Sequence, residues 1–565
     1  MYPLLEIKNL QIEFLQDATP VSAVQNISFT ATRGKLTAIV GESGSGKSVT
    51  ALAVLKLLSK QVTISGDILF SETGKQQVTL NVLSEKEISR IRGNKIAMIF
   101  QEPMTSLNPV LTCGAQVMEI LMKHRKLSRK EAKQKTIELF EQVELPDAVS
   151  MIDRYPHQVS GGQKQRVMIA MAISCNPDLL IADEPTTALD VRVQKNIIRI
   201  IRNLQQQNNM SVLFITHDLG LVADIADEII VMYKGQITEQ GNATDILNDP
   251  KHYYTKALLA CRPVAGSKGK KLKVLNDFLI PGEKEITCQV KKISGEIIIR
   301  NTPVLSVREL NVHFPSSKNI FGRTKTFIKA VDQVSFEILQ GEIVGLAGES
   351  GCGKTTLGRA ILQLIKPTSG QIILYGRDIT SIPYNKLRQL RKDLQIVFQD
   401  PYGSLNPRIS IGSAILEALT VHQLYDNNKM RKEAVVQMLE KVQLTPDHFK
   451  RYPHQFSGGQ RQRVCIARAL ALNPAFLIFD ESVSALDVSV QAGILNLINE
   501  LKNELNFTSL FISHDLSVVH YISDRILIMN KGKIIESGKA GDVFLNPAMK
   551  YTRELIDAIP GKKLF

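Results

Sequence analysis

Leu36-Thr37-Ala38-Ile39-Val40-Gly41-Glu42-Ser43-Gly44-Ser45-Gly46-Lys47-Ser48 runs from an apolar stretch straight into a glycine-rich one. Residues 36–40 have the length of a buried strand, and residues 49–58 return to helical spacing. Between them, Gly41, Gly44 and Gly46, with Ser43, let successive backbone N–H groups turn inward onto an anion. The helix that follows adds its positive N-terminal end to the same charge. The Lys47 amine and Ser48 hydroxyl complete a pattern suited to the β- and γ-phosphates of a nucleoside triphosphate and its Mg²⁺.

The pattern occurs twice. Ile343-Val344-Gly345-Leu346-Ala347-Gly348-Glu349-Ser350-Gly351-Cys352-Gly353-Lys354-Thr355 repeats strand, loop and helix start. Each copy is followed by a glutamine (Gln101, Gln399), an SGGQ (160–163, 457–460), an apolar run ending in Asp-Glu (Asp183-Glu184, Asp480-Glu481) and a histidine (His217, His514). The intervals 457 − 160, 481 − 184 and 514 − 217 all equal 297, which is duplication rather than coincidence. Lys47 to Lys354 spans 307 and Gln101 to Gln399 spans 298, so the first half carries nine extra residues. The polar stretch 71–81 is the expected place, as a longer hairpin or loop. A period this long marks tandem domains, not a solenoid of short repeats.

Composition agrees. The 565 residues divide into two domains, 4–261 and 303–560, joined by a linker, 262–302. The linker contains Gly266, Gly269 and Pro281-Gly282, and 293–300 is apolar enough for a strand. No apolar run has the length of a membrane helix, and the N-terminal residues lack the charged and apolar regions of a signal peptide. Cys113, Cys175, Cys261, Cys288, Cys352 and Cys465 form no C-x-x-C, so they read as reduced thiols. The net charge of +14 suits an anionic partner such as a membrane surface, nucleic acid or nucleotide. Lys268, Lys270, Lys271 and Lys273 cluster in the linker and read as a solvated tether.

Short apolar runs alternate with helical segments, which implies an α/β core with a largely parallel sheet. Ser128-Arg129-Lys130-Glu131 has the capping-box pattern ahead of a helix. Asp183 and Asp480, ending buried strands, suit a Mg²⁺ shell; Glu184 and Glu481 suit polarising an attacking water. Ser160-Gly161-Gly162-Gln163 and Ser457-Gly458-Gly459-Gln460 stand at helix starts as a second anion cradle, or as ordinary caps. Cys352, inside the second glycine loop, raises the expectation of a thiol-sensitive site.

Taken together, the set resembles the nucleotide-binding domain of an ABC ATPase, across both halves. The resemblance implies a RecA-like core with an antiparallel β-subdomain and an α-helical subdomain in each. It implies ATP and Mg²⁺ as ligands, and domains paired head to tail within the chain. Lys47, Ser48, Asp183 and Glu184 would then face Ser457–Gln460, and Lys354, Thr355, Asp480 and Glu481 would face Ser160–Gln163. Gln101 and Gln399 match the residue that touches Mg²⁺, His217 and His514 the switch histidine, and Asp190 and Asp487 the D-loop. Phe14 and Phe314 stand roughly where an adenine-stacking aromatic belongs, 33 and 40 residues before their lysines; the other reading is a core phenylalanine. One departure is Asp480-Glu481-Ser482-Val483, where the first half has Asp183-Glu184-Pro185-Thr186. Without the proline, the turn toward Asp487 is expected to be looser and the sites unequal.

Within that family, residues 101–109 and 399–407, Arg154-Tyr155-Pro156-His157-Gln158 and Arg451-Tyr452-Pro453-His454-Gln455 are similar to oligopeptide, dipeptide and nickel importers. The stretch 248–259, echoed at Asn546-Pro547 and Tyr551-Thr552, resembles that family's tail. The expectation is the ATP-hydrolysing motor of a peptide importer at the cytoplasmic face of the inner membrane. It would be peripheral, served by two permease subunits and a substrate-binding protein, with no nucleic acid. The alternative is a soluble tandem ABC protein acting on ribosomes, which usually has a longer, highly charged helical linker.

Overall fold

The computed structural model describes residues 2–16, 19–59, 61–101, 106–187, 189–278, 300–318 and 324–561. The chain divides into two compact units, Met1–Leu259 and Ala260–Ile559. Each holds one six-stranded and one four-stranded sheet.

In the first unit the strand that feeds the glycine loop, Leu36–Val40, is central. It pairs in parallel with Ser211–Thr216 on one side and Glu228–Tyr233 on the other. Leu179–Asp183 and then Ile96–Ile99 extend the sheet in parallel, and Gln236–Asn242 closes the opposite edge antiparallel. Every residue of Leu36–Val40, Leu179–Asp183 and Ser211–Thr216 is buried, as strands covered on both faces must be. Gly41, Gln101, Glu184 and His217 follow the carboxyl ends of parallel strands, so topology alone brings them to one edge. The second sheet is antiparallel, in the order Thr19–Thr32, Pro3–Gln16, Val62–Phe70, Val78–Thr79. Helices Cys113–Arg125, Arg129–Gln142 and Gly161–Ile173 pack through Val117, Leu121, Phe140, Val167 and Ile169. The capping box at Ser128 and Glu131 forms.

The second unit repeats this order. Its six-stranded sheet runs Leu394–Val397, Phe476–Asp480, Thr508–Ser513, Ile343–Ala347, Arg525–Asn530, Lys533–Lys539. Its four-stranded sheet runs Thr324–Gln340, Arg300–Lys318, Ser369–Leu374, Arg377–Asp378. The extra residues of the first half appear largely where expected. Residues 71–77 connect Val62–Phe70 to Val78–Thr79, whereas only 375–376 connect Ser369–Leu374 to Arg377–Asp378.

Residues that the sequence reads as tether are built into the second unit. Cys261 and Leu272 join its buried core. The Leu272 N–H donates to Asn496 Oδ1 at 2.9 Å, and its carbonyl accepts from Asn496 Nδ2 at 2.8 Å. The Tyr521 hydroxyl donates to the Lys270 carbonyl, Lys268 donates to the Ser523 carbonyl, and Lys271 pairs with Glu500. Lys268 and Lys271 thus have protein partners, while Lys268, Lys270, Lys271 and Lys273 are all exposed, as the solvated reading of the cluster expects. Pro281-Gly282, Cys288 and residues 293–299 lie outside the described residues.

Candidate functional site

In the first unit, Gly46 adopts a left-handed conformation and opens the helix Lys47–Val54. Gly44 also has positive φ, and a Cβ there would meet nothing within 4 Å, so the loop presents open space at its crest. Gly41 is different: its Cβ would lie 2.2 Å from the Met232 carbonyl oxygen. Lys47, 4% exposed, donates to the Gly41 and Glu42 carbonyls at 2.8 Å each. Ser48 Oγ donates to Asp183 Oδ1 at 2.9 Å. Burial pushes the Asp183 carboxyl up to about 6, against the opposing Ser48 hydrogen bond. A buried acid so poorly compensated, beside a hydroxyl, fits a place waiting for a hard cation.

Glu184 sits one residue further, at φ 45°, a costly conformation for a side chain other than glycine. Its N–H donates to the Ile215 carbonyl of the neighbouring strand. Three side chains converge on its carboxylate: Gln101 Nε2 at 3.2 Å, Thr187 Oγ1 at 2.8 Å and His217 Nδ1 at 3.2 Å. Burial pushes this carboxyl up, but His217, the Thr187 hydroxyl and Lys47 together outweigh it and bring it to about 2. Two adjacent carboxyls are thus driven apart, one retained as a base and one costly to ionise.

The second unit repeats the arrangement. Lys354 donates to the Gly348 and Glu349 carbonyls, and Thr355 to Asp480 at 3.0 Å. Glu481, at φ 47°, meets Gln399 Nε2 at 3.3 Å and His514 Nδ1 at 3.3 Å. Burial raises the Asp480 carboxyl; it also pushes Glu481 up, but His514 and Lys354 overcome it, so Glu481 ends lowered. One bond differs. Ser484 donates to the backbone carbonyl of Glu481, where Thr187 reaches the carboxylate of Glu184. Ser482, in the place of Pro185, is buried with its hydroxyl unpartnered. The backbone bonds of the two turns correspond: Ser484 N–H to Glu481 O and Leu486 N–H to Val483 O match Thr187 N–H to Glu184 O and Leu189 N–H to Thr186 O. Cys352 is 7% exposed and burial pushes its thiol up, so the protonated, enclosed sulfur opposes the expected thiol sensitivity.

Ser160 and Ser457 each N-cap the helix that follows, Gly161–Ile173 and Gly458–Leu470, in reciprocal capping boxes with Gln163 and Gln460. The ordinary-cap reading is therefore realised. Gly162 and Gly459 also press against the helices that Asp190 and Asp487 introduce, Val191–Asn208 and Val488–Leu505; a Cβ would lie 2.8 Å from Val193 and 2.4 Å from Val490. Asp190 accepts from the Val193 N–H, whereas Asp487 makes no such cap. Phe14 packs partly against the β-subdomain core, and Phe314 is 39% exposed. Residues Glu102, Pro103, Met104 and Thr105 lie outside the described residues.

Two contacts escape the sequence reading. Thr187 on Glu184 is one. The other is a tail tyrosine in each unit, whose hydroxyl accepts the N–H of the second loop residue: Glu42 to Tyr254 at 2.9 Å, Glu349 to Tyr551 at 3.2 Å. The common interval of 297 from Tyr254 to Tyr551 was the available signal.

A family model described as ABC transporter matches residues 24–187 and 331–484. One described as Oligopeptide/dipeptide transporter, C-terminal region, matches 238–287 and 535–563. The chain is similar to the glutathione import ATP-binding protein GsiA of Escherichia coli (strain K12), 47% identical over 559 residues, covering 99% of this chain and 89% of that one. It is 46% identical over 560 residues to its namesake in Salmonella typhimurium, with the same coverage. The solved ABC cassette MJ0796, a dimer in a post-hydrolysis state, is 27% identical, covering 42% of this chain and 98% of that chain at a TM-score of 0.38.

Proposed function

The chain belongs to the ABC transporter ATP-binding proteins, as an ATPase of the oligopeptide/dipeptide importer type, and we propose that two composite ATP sites in it drive uptake of glutathione or a peptide of similar size. The observation that carries this is similarity to glutathione import ATP-binding proteins over 99% of the chain, joined to a full set of site residues in both halves. The family models and relatives described above do not support the ribosomal alternative.

Lys47 and Lys354 donate to carbonyls of their own loops. ATP replaces those carbonyls with β- and γ-phosphate oxygens, which the open loop crests and helix N-termini also meet. The oxygen sets Ser48, Asp183, Gln101 and Thr355, Asp480, Gln399 would hold Mg²⁺. Bound there, Mg²⁺ neutralises phosphate charge. Glu184 and Glu481, kept ionised, polarise the attacking water, with His217 and His514 beside the γ-phosphate. Ser160–Gln163 completes the site of Lys354, and Ser457–Gln460 that of Lys47, with Asp190 and Asp487 between. Phe14 and Phe314 flank the adenines. Neither half alone surrounds a γ-phosphate, so ATP draws the halves together and hydrolysis releases them.

The importer class implies membrane permease subunits, and a substrate-binding protein would present the cargo to them. Among the described residues, no helix is long and apolar enough to cross a membrane. A cavity of about 300 Å³ lined by Leu57, Ile96, Met98, Phe100, Ile120 and Met168 lies next in sequence to Gln101. Phe100 is 42% exposed there. This apolar groove suits a cytoplasmic loop of a permease, which would hold the chain peripherally at the inner membrane.

The test is uptake of labelled glutathione, and of labelled di- and oligopeptides, by cells lacking this gene and complemented with wild type, Lys47→Ala or Lys354→Ala. Uptake of one of these cargoes restored by wild type and by neither variant supports the reading. Restoration by either variant overturns two-site coupling, and no restored uptake of any cargo overturns the substrate class.

A further inference from the structure

We infer that Tyr254 and Tyr551 are positioning residues for the ATP-binding loops, and that the tail segment of each half exists in part to supply them. The second residue of each glycine loop is held through both of its backbone groups. In the first unit, Tyr254 accepts the N–H of Glu42 at 2.9 Å and Lys47 donates to the Glu42 carbonyl at 2.8 Å. In the second, Tyr551 accepts from Glu349 at 3.2 Å and Lys354 donates to the Glu349 carbonyl at 2.8 Å. Two halves separated by 297 residues and diverged around the site keep this same bracket.

The bracket is asymmetric toward nucleotide. When phosphate takes the lysine, the carbonyl of that residue loses the lysine and keeps the N–H of Ser45 or Cys352, while its own N–H keeps the tyrosine. The tyrosine therefore holds the loop entrance in its binding shape in both states, and its contribution is to preorganisation. Little else can do this at Gly41, where the chain passes so near Met232 that a Cβ would lie 2.2 Å from its carbonyl oxygen. Gly348 passes Met529 with the same separation.

Tyr254 is built more firmly than Tyr551. It is 0% exposed, and its ring lies 4.3 Å from that of Tyr233, the last residue of strand Glu228–Tyr233. The residue 297 further on is Asn530, which has no ring, and Tyr551 is only half-buried. Both tyrosines lie in the segments matched by the oligopeptide/dipeptide C-terminal model, which gives those segments a role at the ATP site itself. The inference rests on the ATPase activity and not on the cargo.

Tyr254→Phe in the full chain keeps the ring and removes the acceptor. The expected result is a KM for ATP raised about three- to tenfold, the effect of one lost neutral hydrogen bond, with a smaller change in kcat. Equilibrium binding of ATP to the Glu184→Gln/Glu481→Gln protein, alone and carrying Tyr254→Phe, reads the same loss without turnover. Tyr551→Phe should act in the same sense and more weakly. Tyr253→Phe, at a half-exposed neighbour, is the control and should leave KM and ATP affinity as in wild type. An unchanged KM and ATP affinity in Tyr254→Phe overturns the proposal. So does a fall in thermal stability and kcat with KM unmoved, which would mark a purely structural tyrosine.

Discussion

Glu184 shows how much surrounding structure one base requires. Its backbone is held at φ 45°, which costs on the order of 1–3 kcal/mol and is offset by the bond to Ile215 and the packing of the turn. Burial pushes the carboxyl up; His217, Thr187 and Lys47 outweigh it. His520 is the opposite case, a buried group kept neutral. It is 3% exposed, stacked 4.3 Å from Phe544, and its Nδ1 has no partner. Burial, with Lys268 adding to it, takes its pKa from 6.5 down to about 4. Above the unfolded value near 6.5 the ring is neutral in both states and costs nothing. As pH falls toward 4, the unfolded chain takes a proton that the folded one refuses, so stability is lost, by about 2 kcal/mol at pH 5. His520→Phe removes that loss. Urea unfolding of wild type and variant should therefore diverge between pH 7.5 and pH 5, the variant being more stable relative to wild type at the lower pH. Parallel behaviour across that range would contradict the assignment.

At the scale of elements, Gly161–Ile173 and Gly458–Leu470, the signature helices that begin within each SGGQ, divide labour between adjacent glycines. A Cβ on Gly161 or Gly458 would meet leucine side chains at 3.6 and 3.7 Å, ordinary contact. On Gly162 or Gly459 it would strike a valine methyl of the next helix at 2.8 or 2.4 Å. The first glycine of each pair is thus free for a ligand, while the second is required by packing. Gly162→Ala and Gly459→Ala should lower thermal stability by the ~1–3 kcal/mol of an overpacked contact, Gly459→Ala more. Gly161→Ala and Gly458→Ala should keep stability yet lose ATPase activity. Melting curves beside steady-state hydrolysis separate the pairs; a stable Gly459→Ala protein would refute the packing argument. These elements were legible because their signals are local: a serine cap, a glutamine three residues on, apolar runs of strand length. Leu272 on Asn496 and Glu42 on Tyr254 were not, since 224 and 212 residues separate the partners and no local pattern encodes such contacts. The linker's contacts were out of reach for the same reason, since Leu272, Lys270 and Lys268 meet partners 224, 251 and 255 residues away.

At the scale of the whole molecule, duplication poses a question that neither unit answers alone: which signature helix serves which lysine. Each unit contains a glycine loop open at its crest and a serine-capped helix start, and on the proposed reading one ATP needs both. Head-to-tail pairing makes a specific, countable difference. In the Glu184→Gln/Glu481→Gln background, which retains ATP, about two nucleotides should be held per chain, and Ser160→Arg or Lys354→Ala should each leave about one. If Ser160 completes the site of Lys354, the combined Ser160→Arg/Lys354→Ala change damages one site twice and still leaves about one nucleotide, whereas Ser160→Arg/Lys47→Ala damages both and leaves none. Were each unit to close on its own ATP, the two double variants would exchange outcomes. The count is insensitive to cargo, permease and turnover rate, so it tests the pairing by itself. Such a pairing would turn two similar ATPase halves into one motor, because only a site shared between halves would make their approach depend on ATP and their separation on its hydrolysis.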